Sequence, residues 1–441
     1  MLDIKLFREN LDVIIESEKK RGKDIENAKK VLEYDKKWRE ALKAGDELKY
    51  KKNLVSVEIS KLKKEGKPID EKINEMRKIS KKIEENDKKI EEFFRKREEF
   101  RYRVGNILHK DVPIGKSEEE NKHVRFWGTP KVYKEFLKDF EKQTLGKVKP
   151  EVIDFKPKSH VDLLEAGLGD TIKAGEVSGS RFFYLKDELV LLNLALQKFA
   201  LDFLRKKGFQ LFYTPFMLKG DIIAKAAELA DFREMLYKIE GEDLYLIATA
   251  EQTLAAYHSN EIIDEKDLPK LYAGFSTNFR KEAGSHGKDT KGIFRVHQFD
   301  KVEQFIFCKP EESWMWFEKL IKNAEEIYQK LGLPYRIMNI CSGQINDNAA
   351  MKYDLEVWMP AQGKYREVVS CSNCTDYQPR KLNVRLLRKN GEKDFVHSLN
   401  STAIATQRTI VAILENYQQD DGSIKIPDVL IPYTGFEKIK K

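Results

Sequence analysis

The sequence lacks the features of membrane and secreted proteins. No apolar run in its 441 residues approaches the ~18 residues that span a bilayer. The N-terminal stretch "MLDIKLFREN" contains acidic residues and has no apolar core, so it does not resemble a secretory signal. The four cysteines are too few for a disulfide scaffold in a chain of this length. We therefore expect a cytoplasmic protein without membrane contact.

The common nucleotide-binding and metal-binding motifs are also missing. The sequence contains no G-x-x-x-x-G-K-[ST], no G-x-G-x-x-G after a predicted strand and no H-E-x-x-H. Cys371 and Cys374 form a C-x-x-C, but no second pair and no His-x-x-x-His accompanies it. We therefore expect buried thiols there and no zinc. A nucleotide, if one binds, must be held by another geometry.

Charge is abundant, and the positive excess lies at the N-terminus. Asp, Glu, Lys and Arg make up 35% of the chain, and the net charge is +8. Residues 1–110 hold 32 Lys and Arg against 24 Asp and Glu, whereas the remainder holds 49 of each kind. A basic arm on a neutral body suggests a polyanionic partner. A solvated Lys/Glu helix without a partner would have the same composition.

Residues 27–105 show the apolar spacing of two long helices. Across 76–100, apolar residues recur at alternating spacings of three and four, with Asn86 and Arg97 as polar exceptions. The stretch "GKP" at 66–68 supplies the glycine and proline that accompany a tight reversal. The pattern predicts an antiparallel coiled-coil hairpin.

The rest of the chain mixes helices with β-rich segments. An apolar helix is predicted from residue 187 to Gly208, and a last helix at about 402–418. Strands are predicted at 243–248, 270–282, 293–307, 354–359, 364–370 and 395–400. Consecutive strands with short connections favour an antiparallel sheet, hence an α+β fold. We expect an N-terminal domain at 1–110, a linker at 111–130 and a main domain at 131–441.

Ionisable side chains share one face of the hairpin predicted at 270–307. Period-two alternation groups Asn278, Arg280 and Glu282 with Arg295, His297, Phe299, Lys301 and Glu303. Arginine suits a phosphate and an aromatic ring suits a purine, so this face is a candidate nucleotide site. Internal salt bridges would give the same alternation. The connection at 283–292, "AGSHGKDTKG", is expected to be a mobile, basic loop.

Several stretches resemble the signatures of one enzyme family. "FRKE" (279–282) and "RVHQFDKVE" (295–303) are similar to the second signature of class II aminoacyl-tRNA synthetases, in its seryl form. "LNSTAIATQRTIVAILENYQ" (399–418) resembles the third signature. "FQLFYTPFML" (209–218) resembles the first, with Pro215 as the family's dimer-interface proline. With "TAE" at 249–251 and "REVVSCSN" at 366–373, the resemblance to seryl-tRNA synthetases covers essentially the whole chain.

The resemblance implies that ATP activates serine to seryl-adenylate. The seryl group then passes to the 3′ end of serine tRNA, and of selenocysteine tRNA where one is present. Arg280 would contact the α-phosphate and Arg408 the γ-phosphate, both as catalytic residues, and Arg295 is a second phosphate-side candidate. Glu282 would accept a hydrogen bond from the adenine amino group, and Phe299 would stack on the ring.

The resemblance also implies the composition of each binding site. The ATP site would comprise Arg280, Lys281, Glu282, Arg295, Val296, Phe299, Glu367, Val368, Val369, Ser370 and Arg408. Within it, Glu367 and Ser370 would hold Mg²⁺ between the phosphates. The serine pocket would comprise Thr249, Ala250, Glu251, Arg280, Glu303, Asn400 and Thr402. A pocket rich in acceptors suits the hydroxyl and the ammonium of serine and penalises alanine.

The implied partners are serine, serine tRNA and a second copy of the chain. The coiled coil would cross the long variable arm of the tRNA, and a homodimer would form around Pro215. One departure is that Gln344 and Met351 stand where the family often has an acid and a lysine. That departure favours an alternative, a tRNA-binding relative with impaired catalysis. A ligase that loads a carrier protein is another alternative, against which the coiled coil argues.

Overall fold

The protein divides into two compact units, Met1–Ile107 and Leu108–Lys441. The structure is a computed structural model that describes residues 1–227, 235–283 and 289–440. Within these ranges, no helix is both long enough and apolar enough to cross a membrane. The boundary between the units lies close to residue 110, where the sequence predicts the end of the N-terminal domain.

The N-terminal unit is helical and contains the predicted coiled coil. Its helices are α1 Ile4–Glu9, α2 Leu11–Lys20, α3 Glu26–Lys64 and α4 Asp70–Tyr102. Helix α3 ends in three lysines and α4 begins with Asp70 and Glu71, so each end carries the charge that its helix dipole favours. Aromatic pairs join the two helices, with the ring centroids of Tyr34 and Phe93 6.3 Å apart. The predicted antiparallel arm is confirmed.

The two polar exceptions of the heptad pattern have specific partners on α3. Asn86 Nδ2 donates to the carbonyl oxygen of Ala41 at 2.9 Å. Arg97 Nη1 lies 3.1 Å from Asp35 Oδ1, and Asp35 also pairs with Arg8 at 2.8 Å. Burial would raise the pKa of Asp35, but the two guanidinium groups hold it below its ordinary value. Such buried polar pairs favour one register of a coiled coil.

An eight-stranded sheet organises the second unit. Its strands are β1 Lys122–Trp127, β2 Gln210–Tyr213, β3 Lys270–Phe279, β4 Gln298–Cys308, β5 Tyr335–Asn339, β6 Met351–Met359, β7 Lys364–Thr375 and β8 His397–Ala405. Their order across the sheet is β1-β5-β6-β7-β8-β4-β3-β2. All neighbours are antiparallel except β2 and β3, which are parallel. The predicted α+β class with an antiparallel sheet is confirmed.

Helices and short strands surround this sheet. The helices are α5 Leu137–Thr144, α6 His160–Leu163, α7 Thr171–Ser178, α8 Glu188–Lys206, α9 Gly220–Ala226, α10 Ala250–Ala256, α11 Ser313–Lys330, α12 Tyr377–Leu382, α13 Thr406–Asn416 and α14 Ile431–Thr434. The short strands are Lys131–Tyr133, Glu151–Ile153, Gly169–Asp170, Tyr184–Leu185, Met217–Lys219, Leu244–Leu246, Ile262–Asp264, Arg385–Leu387, Lys393–Phe395, Ile424–Lys425 and Lys438–Ile439.

Apolar residues form a core on each face of the sheet. The larger core packs α8, α11 and α13 against one face, and Val302 and Ile306 of β4 belong to it. A smaller core joins α10 and α12 to β3 and β4, and it includes Phe305 and Phe307. Since strand side chains alternate between faces, the odd-numbered residues of β4 point toward α10.

Several boundaries differ from those predicted, and three of the differences affect the site or the domain division. Strand β4 begins at Gln298 rather than 293, because the chain at 293–297 is bent rather than extended. Strand β8 continues to Ala405, so the last helix begins at Thr406 rather than 402. The predicted linker at 111–130 contains β1, an edge strand paired with β5. The weak alternation of "KHVRFW" beside glycine, proline and charged residues had concealed that strand.

Candidate active site

A cavity of about 370 Å³ lies on the α10 side of the sheet. Residues of β4, β6, β7, β8, α9, α10 and α13 contribute to its walls, together with Arg280, which follows β3. Most of the site residues predicted from the sequence line it: Thr249, Glu251, Arg280, Glu282, Val296, Phe299, Glu303, Glu367, Val368, Ser370, Asn400, Thr402 and Arg408. One cavity therefore collects residues from the stretches that resemble the second and third signatures and from 249–251 and 366–373, whereas 209–218 contributes none.

The four other predicted residues lie outside the cavity lining. Ala250 and Val369 are buried in the smaller and the larger core, respectively. Lys281 Nζ stands over the Tyr237 ring, 5.7 Å from its centroid. Arg295 Nη1 donates to Glu282 Oε2 at 2.9 Å and so supports a lining residue from behind. These four residues belong to segments that reach the cavity, but they are not among the residues that line it.

Two buried ionised groups of β4 form a pair inside the cavity. Lys301 Nζ donates to Glu303 Oε2, and both residues are buried. A bulge in the pairing of β4 with β8 sets Thr402 opposite Glu303, and Thr402 Oγ1 lies 3.5 Å from Glu303 Oε2. Burial raises the pKa of Glu303, and the Lys301 ammonium opposes that rise. The attraction between Lys301 and Glu303 thus offsets part of the free energy that their desolvation costs.

A second carboxylate, Glu251, enters the cavity from the first turn of α10. Thr249 caps this helix, and its hydroxyl accepts from the Glu251 backbone N–H at 3.2 Å. Helix α10 comes close to β3 at Gly274, where a Cβ atom would lie 3.2 Å from the Ala250 Cβ. Gln378 Nε2 donates to Glu251 Oε1 at 2.7 Å. Burial and the neighbouring Glu303 raise the pKa of Glu251 to about 7.

Arg280 occupies the point where the chain leaves β3. Its backbone N–H donates to the His297 carbonyl at 2.9 Å, and its Nε donates to the Ala248 carbonyl at 3.2 Å. Its guanidinium carbon stands 5.1 Å from the centroid of the Phe299 ring. The side chain is therefore held in place and lines the cavity beside an aromatic ring.

Arg408, in the first turns of α13, lies opposite β7. Its Nη1 donates to the Glu367 carbonyl oxygen at 3.1 Å and lies 3.5 Å from Glu367 Oε1. Its Nε donates to the Phe294 carbonyl at 3.4 Å. Burial would raise the pKa of Glu367, but Arg408 and Lys352 hold it below its ordinary value. Glu367 is therefore an ionised carboxylate in this wall.

Sequence reasoning missed several lining residues as site residues, including Gln252, Phe294, Lys301, Lys352, Ser372 and Gln407. Phe294 is buried in the larger core and also lines the cavity, where the chain at 293–297 is bent and strand alternation does not apply. Its ring lies beside the guanidinium groups of Arg366, at 3.9 Å, and Arg408, at 5.0 Å. Lys301 was on the predicted polar face but was not selected. Lys352 pairs with Asp354 at 3.2 Å. No sequence pattern indicated it as a site residue, because it lies in the stretch that departs from the family pattern.

The two departures from the family pattern lie outside the cavity lining. Gln344 is exposed, and its Nε2 donates to the Lys116 carbonyl at 2.9 Å. Met351 is buried in the larger core. The adjacent Lys352 lines the cavity and supplies a cation to that wall. Neither Gln344 nor Met351 is therefore among the residues that form the cavity wall.

The structure describes only part of the loop predicted at 283–292. In the expected mobile loop, residues 284–288 lie outside the described ranges, whereas Asp289 Oδ2 accepts from Arg366 Nη2 at 2.5 Å.

The two cysteines of the C-x-x-C are buried. Cys371 lies in the larger core, and Asn400 Nδ2 donates to Cys374 Sγ at 3.7 Å. The absence of zinc at these cysteines stays a prediction.

Family models match both units of the chain. The model of the seryl-tRNA synthetase N-terminal domain matches residues 1–108. The model of the tRNA synthetase class II core domain (G, H, P, S and T) matches residues 236–417. These matches coincide with the arm and with the strands and helices that build the cavity.

Individual proteins resemble the chain over its whole length. A serine–tRNA ligase from Pyrococcus abyssi is 53% identical over 444 aligned positions, covering 100% of this chain and 97% of the relative. The crystal structure of the Pyrococcus horikoshii seryl-tRNA synthetase complexed with ATP has a TM-score of 0.95 and 51% identity, covering 100% of this chain and 99% of that one.

A more distant enzyme shares the same architecture. The structure of a cytoplasmic serine–tRNA ligase from Naegleria fowleri in complex with AMP has a TM-score of 0.85 and 41% identity. It covers 100% of this chain and 99% of its own length. The chain belongs to the seryl-tRNA synthetases, class II aminoacyl-tRNA synthetases that join serine to tRNA.

Proposed function

We propose that the cavity binds ATP and serine side by side, with the roles that the family resemblance implies. The observation that carries this proposal is that Arg280 lines the cavity within electrostatic reach of two groups of residues. One group is Glu251 and Glu303, acceptors suited to serine, and the other is Glu367 with its neighbour Arg408, suited to phosphates and their metal ion. The serine carboxylate and the α-phosphate would then meet at Arg280.

In the activation step, a carboxylate oxygen of serine forms a bond to the α-phosphorus. The bond from that phosphorus to the oxygen bridging to the β-phosphate breaks, and pyrophosphate leaves with the electron pair. Arg280, held by the Ala248 carbonyl, stabilises the charge that develops on the equatorial oxygens. In the transfer step, a hydroxyl of the terminal adenosine of tRNA attacks the serine carbonyl carbon, and AMP leaves.

The nucleotide is held by an aromatic ring, a carboxylate, backbone contacts and an arginine. Phe299 stacks on the adenine, Glu282 accepts from its amino group, and Val296 lends backbone contacts. Arg408 binds the γ-phosphate, with Arg295 behind the phosphate side. The ion pair of Arg295 with Glu282 supports the role assigned to Glu282, since it keeps the Glu282 carboxylate at the cavity wall.

Glu367 and Ser370 fit a Mg²⁺ ion held between the phosphates. Both line the cavity, and carboxylate and hydroxyl oxygens are suitable ligands for this hard cation. The lowered pKa of Glu367 keeps its carboxylate ionised near neutral pH. When bound, Mg²⁺ would neutralise part of the charge of the phosphates.

We also propose the assembly and location that the family implies. Several apolar side chains on α8 and near Pro215 are strongly exposed, among them Leu191, Leu194 and Tyr213. Such a surface supports burial against a second copy. The four cysteines are all buried as thiols, in keeping with a reducing cytoplasm.

Replacement of Arg280 tests the proposed chemistry. Arg280→Ala should lower serine-dependent ATP–pyrophosphate exchange by about 10³-fold, because the charge of the transition state loses its fixed cation. Arg205→Ala, an exposed arginine at the end of α8, is the matched control and should retain normal exchange. Near-normal exchange in a folded Arg280→Ala protein would refute the assigned role.

The raised pKa of Glu251 predicts pH-dependent serine binding. As the pH falls below about 7, Glu251 becomes protonated and loses the charge that binds the serine ammonium. The KM for serine should therefore rise about tenfold between pH 8 and pH 6. Glu251→Gln should show a high KM without this slope. A wild-type KM that stays constant over this range would contradict the assignment.

Charge on the arm is expected to control tRNA binding. Four exposed lysines of α3 and α4 are suitable for replacement by glutamine: Lys49, Lys51, Lys81 and Lys82. Their loss should raise the KM for tRNA by about tenfold or more and weaken its salt dependence, while ATP–pyrophosphate exchange stays normal. A matched variant changes four exposed glutamates of the same helices to glutamine: Glu47, Glu71, Glu84 and Glu85. Equal tRNA charging by both variants would contradict an arm that binds tRNA.

The exposed apolar face of α8 predicts a substitution that separates the dimer. Leu194→Glu places a charge where 54% of the side chain is exposed in the single chain, and it should yield monomers in light scattering. Met315→Glu, on α11 and 46% exposed, should leave the mass unchanged. A dimeric Leu194→Glu protein, or a monomeric wild type, would overturn the proposed interface.

A further inference from the structure

Lys301 lines the cavity but has no role in the mechanism proposed above. It lies on β4 in register with Ser276 of β3 and Ala405 of β8, so strands flank it on both sides. Only 7% of the residue is exposed. A lysine this buried needs a compensating anion, and its Nζ donates to Glu303 Oε2.

The cavity holds two carboxylates that must act differently toward serine. Serine offers one ammonium and one hydroxyl, and each group needs an acceptor. Without a cation, Glu251 and Glu303 would disfavour each other's ionised forms, and one would take up a proton. Among the described residues, Lys301 and Arg280 are the cations that act on both carboxylates. Gln378 donates a hydrogen bond to Glu251, and Thr402 donates one to Glu303.

Arg280 makes other contacts in the cavity. Its Nε donates to the Ala248 carbonyl, and its guanidinium stands beside Phe299, toward the proposed nucleotide. Lys301, by contrast, bonds Glu303 directly, and the Glu303 carboxylate also lies within reach of Thr402 Oγ1. Glu303 is therefore held at one oxygen by two side chains, which leaves its other oxygen to face the ligand.

We propose that Lys301 is a positioning residue for serine specificity, which pins Glu303 as the acceptor of the serine hydroxyl and leaves Glu251 for the ammonium. This inference rests on the proposed serine pocket. It assigns Lys301 no contact with ATP and no part in bond making. Loss of its ammonium should therefore affect recognition of serine and not the phosphate chemistry.

The same geometry accounts for rejection of alanine. With alanine bound, the pinned Glu303 carboxylate would be desolvated and would face a methyl group. Without Lys301, Glu303 is free to reorient or to take up a proton, so the penalty against alanine falls. Discrimination by a hydrogen-bonding site depends on the bonding group staying in place.

The test compares Lys301→Met with Lys301→Arg and the exposed Lys266→Met as control. ATP–pyrophosphate exchange is measured against serine, alanine and ATP concentration. Lys301→Met should raise the KM for serine at least about tenfold and lower the serine-to-alanine ratio of kcat/KM by a similar factor. The KM for ATP should stay within about twofold of wild type. Lys301→Arg, which keeps the charge, should lie closer to wild type, and Lys266→Met should equal it.

Other outcomes overturn the inference. An unchanged serine-to-alanine ratio in Lys301→Met would show that Lys301 does not control specificity. A raised KM for ATP with an unchanged KM for serine would assign Lys301 to the phosphate side. If Lys301→Met does not fold, Lys301→Gln is measured by the same criteria. A wild-type protein without serine-dependent exchange would instead refute the proposed function, so the two failures are distinguishable.

Discussion

The cost of burying ionised groups is the constraint on which this active site depends. Carboxylates of Glu251, Glu303 and Glu367 line one cavity, where each would lose its hydration without nearby cations. Lys301 pairs with Glu303, and Arg408 lies 3.5 Å from Glu367. Among the described residues no such cation is bonded to Glu251, and its pKa rises to about 7. The site is thus charged unevenly, and in the proposed function serine and ATP would bring the complementary charges.

The fold supplies the close approaches that this arrangement requires. Gly274 lets α10 pack directly on β3, which brings Glu251 beside the β4 residues. A bulge between β4 and β8 sets Thr402 opposite Glu303. The antiparallel sheet thereby places groups from distant parts of the chain in one cavity, without a glycine-rich phosphate loop. In the proposed function, side chains on a rigid sheet would do the binding that backbone N–H groups do in such loops.

Much of the site could be predicted from the sequence where the backbone is regular. Alternation along β4 correctly grouped Phe299, Lys301 and Glu303, because the chain from Gln298 onward is an extended strand. It did not indicate that Phe294, a residue of the larger core, also lines the cavity, because the chain there is bent and is not a strand. The contributions of Glu251 and Glu367 came only from resemblance, since no local pattern reports which distant segments the sheet brings together. Neither strand alternation nor family resemblance identified Lys352, because only the tertiary structure shows that it lines the cavity.

The central claim is that this cavity activates serine in preference to smaller amino acids. The most direct test is ATP–pyrophosphate exchange by the intact wild-type protein with serine, threonine, alanine and glycine. The account predicts exchange with serine, and values of kcat/KM for alanine and glycine lower by at least about 100-fold, because the buried acceptors lack a hydroxyl partner. Equal exchange with serine and alanine, or none with serine in well-folded protein, would contradict it.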